Sequence, residues 1–160
     1  MSGRAPGAAS PSIRRADPGD AKTVRVIVDA AYRGYIPRIG KPPGPMLDDY
    51  PGRIAAGQVW VLAAGDSIVG VLVLEEGPDG LLLDNIAVAP REQGKGHGRV
   101  LLDFAEAEAA RRGWREIRLY THAMMTENIS LYLRTGYVET GRVREKGFDR
   151  VYMSKQLQAP

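Results

Sequence analysis

Two short stretches of this sequence concentrate residues that can do chemistry. In the first, QGKGHG, Gln93 precedes glycines at 94, 96 and 98, between an apolar run ending IAVAP and the amphipathic run RVLLDFAEAE. A strand that turns in this way into a helix exposes unpaired backbone N–H groups at the helix N-terminus, with the positive end of the dipole behind them. That geometry holds phosphate oxygens. Glycine suits it because a Cβ would keep a ligand off the backbone and disfavour the turn conformations required. A plain flexible turn uses the same glycines, so the cluster alone leaves both readings open. Two familiar phosphate loops do not fit. A P-loop needs Gly-Lys followed by Ser or Thr, but Lys95 precedes Gly96 and Lys41 precedes Pro42. A dinucleotide fingerprint counted from Gly94 and Gly96 needs a small residue where Arg99 stands, and too little chain follows for its remaining parallel strands. The second stretch, TENISLYLRTGY, sets Asn128 and Tyr132 four residues apart, on one face of a helix.

The elements that must position these residues follow from the patterning. SIRRA reads as a first strand, and DPGDAKTVRVIVDAAYRGY as a helix with Asp17 or Asp20 at its N-cap and Val24, Ile27, Val28 and Ala31 at helical spacing. The segment 36–51 is dense in Pro and Gly, which limits regular structure before a short helix near 46–56. QVWVLAAG, SIVGVLVLEEG and LLLDNIAVAP are strands joined by GD and GPDG turns, an antiparallel meander. A helix over about 98–112 follows, with an apolar stripe of Val100, Leu101, Phe104 and Ala107 and a left-handed cap at Gly113. REIRLYTH is a strand, TENISLYLRTG a helix capped by Thr126 and stopped at Gly136, and YVETGRV with FDRVYMSKQL a closing strand pair. The order is β-α-α-β-β-β-α-β-α-β-β.

A chain of 160 residues carries one domain with a hydrophobic core, expected over 12–157 after a disordered tail at 1–11. No apolar run approaches the ~20 residues that span a bilayer, and the opening lacks the apolar core of a signal peptide, so a cytoplasmic protein without a membrane role is expected. There is no cysteine, which removes disulfides, thiolate metal sites and cysteine nucleophiles. The two histidines, His97 and His122, lack ligand spacing, and no metal is expected. The net charge of +3 comes from scattered arginines, a weak basis for a nucleic-acid partner.

The Gln93–Gly98 pattern, placed after IAVAP and before RVLL, resembles the pyrophosphate loop of the GNAT superfamily, the acyl-CoA-dependent N-acyltransferases. The downstream residues Asn128, Leu131, Tyr132, Gly136 and Tyr137 resemble a second motif of the same family. The likeness runs over about 13–155 and is strongest over 81–137. It implies an α/β (α+β) GNAT fold with a central, mostly antiparallel twisted sheet flanked by helices. It also implies acetyl-CoA as cofactor: backbone N–H groups of 94–99 (Gly94, Lys95, Gly96, His97, Gly98, Arg99) on the pyrophosphate, and the backbone of Ile86, Ala87 and Val88 on the pantetheine arm. Lys95 and Arg99 add charge toward the phosphates or are merely solvated. Asn128 binds the pantetheine or orders a water, or else belongs to the helix's first-turn capping.

Attack of a neutral amine on a thioester carbonyl builds an oxyanion and expels a thiolate. A backbone N–H near Val88 can polarise the carbonyl. The resemblance makes Tyr132 the general acid, and a phenol of pKa about 10 keeps its proton at neutral pH. The alternative is a core tyrosine under the pantetheine. Asp84, in LLLDNIAV, is a candidate general base, with Glu75 and Glu76 as rivals and a solvent-facing strand carboxylate as the bland reading. The acceptor is expected beside YRGYIPRIGKPPGPMLDDY, where Tyr32, Tyr35, Met46 and Tyr50 offer apolar walls, Arg38 and Lys41 favour an anionic acceptor and Asp48 with Asp49 a cationic one; the bland reading is a Pro-stiffened connection with a charged exterior. The reading is an N-acetyltransferase acting by direct attack in a ternary complex on a primary amine of a small molecule, with a homodimer plausible. Its alternatives are a peptide or protein N-acetyltransferase and a non-enzymatic acyl-CoA sensor or partner-binding module.

Overall fold

The computed structural model describes residues 11–158. Seven strands hydrogen-bond into one sheet of order β1-β2-β3-β4-β5-β7-β6, in which only the β4/β5 pair is parallel. They are β1 (Ser12–Arg15), β2 (Val59–Ala64), β3 (Ser67–Gly77), β4 (Gly80–Val88), β5 (Glu116–His122), β6 (Val138–Glu145) and β7 (Phe148–Gln156). The helices are α1 (Ala21–Tyr32), α2 (Ile36–Ile39), α3 (Tyr50–Ala55), α4 (His97–Arg111) and α5 (Thr126–Arg134). The mixed, mostly antiparallel sheet flanked by helices matches the expected class. The tail expected at 1–11 lies outside the described residues except for Pro11. Among the described residues no helix is long and apolar enough to cross a membrane.

Period-two alternation builds two cores. On β3, Val71 and Val73 join Val24, Ile27 and Val28 of α1, while Leu72 and Leu74 join Leu101, Leu102, Ala105 and Ala109 of α4. All four β3 residues are buried, as in a central strand covered on both faces. The buried face of α4 is rotated from the stripe read in the sequence: Val100 and Ala107 are exposed. In an alanine-rich helix the small residues carry little hydrophobic signal, and the sheet selects the face that approaches closest. Gly70 of β3 permits that approach, since a Cβ there would stand 2.9 Å from Leu101 Cδ1 and 3.3 Å from Leu62 Cβ.

Three local details differ from expectation. Asp17 caps a 3-10 turn at Pro18–Asp20, and Asp20 gives its carboxylate to Arg14, so α1 starts without a side-chain cap. Thr126 is the first residue of α5 rather than its cap. The Pro/Gly-rich stretch still admits the four-residue α2, because proline fits a helix's first turn and Gly40, at φ +88°, ends it. Gly113 and Gly136 leave α4 and α5 at φ +89° and +101°, as left-handed helix ends do.

The feature that positions the site is in β4. Val73 pairs with Asn85 and Leu74 with Leu83, so Asp84 is the extra residue of a β-bulge. The insertion swaps the alternation. Leu81 and Leu83 pack toward α4 before it and Ile86 and Val88 after it, which leaves the consecutive Asp84 and Asn85 both on the α1 face. Parallel pairing with β5 also stops here, at Leu83/Leu119, although β4 runs on to Val88 and β5 to His122. Past the bulge the two strands part and open a passage through the sheet.

Gly70→Ala is expected to destabilise the fold by about 1–3 kcal/mol through overpacking under α4. Urea unfolding followed by circular dichroism checks it, and an unchanged midpoint would contradict the close approach.

Candidate active site

At one mouth of the passage stands the glycine loop. Gly94 and Gly96 have φ of +82° and +85°, and Gly96 occupies the N-cap of α4 with no side chain capping the helix. The first-turn amides of a 15-residue helix therefore have no side-chain acceptor, and an anion can take that place. The side chains around the loop brace it. Gln93 Nε2 donates to the Val88 carbonyl at 3.1 Å, tying the loop to the end of β4. His97 is buried, with Nε2 3.3 Å from Glu92 Oε1, and Lys95 Nζ reaches Glu92 Oε2 at 3.1 Å. Arg99 turns to Asp103 at 3.0 Å. Lys95 and Arg99 are exposed and engaged with carboxylates.

From this loop a cleft runs along Ile86, Ala87 and Val88 to Asn128, Leu131 and Arg134 of α5. Its other wall comes from the end of α1 and from α2. The Tyr32 hydroxyl lies 2.7 Å from Asn85 Oδ1 and 2.9 Å from the Ile86 carbonyl and shares its one proton between them, fixing the β4 backbone just past the bulge. Tyr35 packs at a tilt on Tyr32, with the Arg38 guanidinium over its ring. Arg38 makes a two-pronged ion pair with Glu127 of α5, at 2.6 and 2.7 Å, and holds that carboxyl down at about 2. Arg38 therefore spans the cleft.

A second, smaller cavity lies at the other end and shares Tyr32, Ile86 and Asn128 with the first. Asp84 is on its wall with a side chain 7% exposed, accepting from the Tyr120 hydroxyl at 3.0 Å and facing Arg53 Nη2 at 3.5 Å. Burial raises the Asp84 carboxyl above the usual range, while Arg53 and Tyr120 oppose the rise. Glu75 pairs with Arg53 and Glu76 with Arg112 and Trp114, and neither lines the cavity. Tyr132 enters from the α5 side. Its ring packs at 5.7 Å on Tyr137, burial pushes its hydroxyl up to about 12, and no side chain among the described residues hydrogen-bonds that hydroxyl. The Asn128 amide makes one weak contact, to Met125 Sδ at 3.7 Å. Met46 lines neither cavity. It packs on the core under α1, and its carbonyl accepts from Arg25 at 2.7 Å.

Several residues here escaped the sequence reading. Asn85, 2% exposed, links Tyr32 to Tyr50, which donates to the Pro45 carbonyl and so holds the 43–45 roof of the cavity. Tyr120 and His122 of β5 and Phe148 and Arg150 of β7 line the floor. The alternation in EIRLYTH does put Tyr120 and His122 on one face, but nothing local says that this face is left uncovered. Among the described residues no group of three or more His, Cys, Asp or Glu side chains is arranged to hold a metal.

Comparison with known proteins bears on this arrangement. N-acetyltransferase 8B of Rattus norvegicus is 30% identical over 89 residues, 52% of this chain, and N-acetyltransferase family 8 member 2 of the same species is 31% identical over 93. The matched region spans about 40% of the length of these curated relatives. The PaiA N-acetyltransferase of Thermoplasma acidophilum, solved in complex with coenzyme A, superimposes with a TM-score of 0.75 over 92% of this chain and 99% of its own, at 20% identity. The ribosomal-protein-S18-alanine N-acetyltransferase of Escherichia coli gives 0.73 over 94% and 96%, at 21%. Naa50 of Arabidopsis thaliana, solved with a bisubstrate analogue, gives 0.71 over 93% and 100%, at 18%. These likenesses carry the fold. The family model described as the acetyltransferase (GNAT) domain matches residues 55–139, which takes in the bulge, the glycine loop and α5, and the chain belongs to the GNAT acetyltransferase family.

Proposed function

We propose that the chain is an N-acetyltransferase that moves the acetyl group of acetyl-CoA to a primary amine of a small molecule, by direct attack in a ternary complex. The observation that carries the reading is the passage between β4 and β5. It has an amide cradle at one mouth, and at the other a buried carboxylate and a phenol that reach it from opposite faces of the sheet. Acetyl-CoA supplies the thioester. The amides of 94–99 suit its pyrophosphate, and the β4 backbone at 86–88, left without a strand partner on the β5 side, suits the pantetheine amides.

Asp84 takes the proton that the amine loses on attack, and its raised pKa brings it nearer the operating pH of a base. A backbone N–H of β4 near Val88 polarises the carbonyl. Tyr132 keeps its proton through the neutral range and gives it to the departing thiolate. With no cysteine in the chain, direct transfer is the simplest route. A small acceptor is favoured by the roof: Lys41 Nζ donates to the Gly147 carbonyl at 2.6 Å and lies over the Phe148 ring, joining the α2–α3 loop to the β6–β7 turn above the cavity.

Thiol release from acetyl-CoA across small amines and short peptides tests this reading. Tyr132→Phe is expected to lower kcat roughly 10²-fold with the Kd for CoA unchanged by calorimetry, and unchanged kcat would remove Tyr132 as the acid. Asp84→Asn is expected to lower kcat by about 10²-fold or more and to flatten the fall in rate as pH drops through the carboxyl's pKa, because only the ionised form accepts a proton. Tight CoA binding without transfer to any amine would instead mark an acyl-CoA sensor, and transfer to peptides alone would move the acceptor class.

A further inference from the structure

The cavity beyond the passage is electrically polar along its length. At its inner end is the Asp84 carboxylate. The β5/β7 register pairs His122 with Arg150 and Tyr120 with Tyr152, so Tyr120, His122, Phe148 and Arg150 share one face. The Arg150 guanidinium lies 4.3 Å from the Tyr120 ring centroid, while the hydroxyl of the same tyrosine donates to Asp84. Carboxylate and guanidinium therefore meet the same tyrosine, one at its hydroxyl and the other over its ring.

Arg150 is paired through one of its nitrogens. Its side chain is 14% exposed, and Nη1 donates to Glu145 Oε1 at 2.9 Å, using one of five N–H donors. Glu145 also accepts from the Tyr152 hydroxyl, so its charge is shared. Nearby, Lys41 adds a second cation at the rim, and Arg144 is matched by Asp149 at 2.9 Å. His122 accepts from the Met124 N–H through Nδ1, which leaves Nε2 as the ring's remaining polar atom. Between the two charged ends the lining mixes apolar side chains, Pro43, Pro45, Met125 and Phe148, with the polar Thr121, His122 and Asn128. The apolar ones suit methylene groups.

We infer that the acceptor is a small amine that also carries an oxyanion, its amino group at Asp84 and its anion on Arg150. A guanidinium edge takes a carboxylate with two parallel bonds, and a neutral far end would leave those donors desolvated without a partner. A second ammonium would meet Arg150 and Lys41. This inference rests on the transferase reading above for its amine end only.

The test compares matched acceptors: γ-aminobutyrate and ε-aminocaproate, their carboxamides, aminoethylphosphonate as a second oxyanion, and putrescine. The full chain is expected to show a kcat/KM at least about 10-fold higher for the carboxylates than for their carboxamides, with putrescine poorest. Arg150→Met should bring the carboxylate-to-carboxamide ratio close to one, and Arg150→Lys should restore part of it. Preference for phosphonate over carboxylate would name the oxyanion's source without changing the site. Equal rates within each pair, a preference for putrescine, or a ratio unmoved by Arg150→Met would overturn the inference while leaving the transferase reading intact. If no amine is acetylated, that reading fails by itself, and calorimetry of the same amino-carboxylates with CoA present decides the inference. Binding lost in Arg150→Met supports it, and absence of binding overturns it.

Discussion

One inserted residue in β4 sets most of what this molecule can do. A regular strand would alternate its side chains and keep its ladder with β5 to the end. The bulge at Asp84 breaks both habits, because a residue without a partner shifts the phase of everything after it. Two consecutive polar side chains then share one face, and the parallel ladder stops at Leu83/Leu119. An open strand edge is ordinarily a liability. Here it sits inside the molecule, flanked by helices, where its unpaired amides can serve a ligand of peptide-like character.

The two faces of the sheet then divide the work. The α4 side supplies the cradle and, through α5, the phenol of Tyr132. The α1 side supplies Asp84 and the second cavity. Neither face holds both groups, and they approach one another only where the strands part. The close packing that locks α4 onto Gly70 serves this division, since it fixes the helix N-terminus relative to β4.

Buried polar contacts keep the α1 side in register. The chain of hydrogen bonds from Ile86 and Asn85 through Tyr32 and Tyr50 to Pro45 joins a strand, two helices and the roof loop across more than 50 residues of sequence. A satisfied network of this kind is costly to break and specifies one arrangement rather than many. Arg53 does the same around Asp84, meeting Asp48, Glu75 and Asp84 at once. The carboxylate most buried in that set is the one left facing the cavity.

The sequence by itself determined the order of strands and helices apart from the four-residue α2, the glycine loop with its helix behind it, and the Asn128/Tyr132 face, because each is written within a window of a few residues. Helical and strand periodicities, glycine spacing and turn dipeptides are local signals. It also named Asp84 and Tyr32, but with roles that depended on what they would touch. Only the tertiary structure decided the bulge, since LLLDNIAV reads as an unbroken strand until its partner shows which residue is left over. It alone turned Lys95 and Arg99 to neighbouring carboxylates, moved Met46 into a core, brought Arg53 and Tyr120 to Asp84 and laid Arg150 over the Tyr120 ring. Those residues come from separate elements, and their meeting depends on register across strands and on which face the helices leave bare. No local pattern in the chain encodes either.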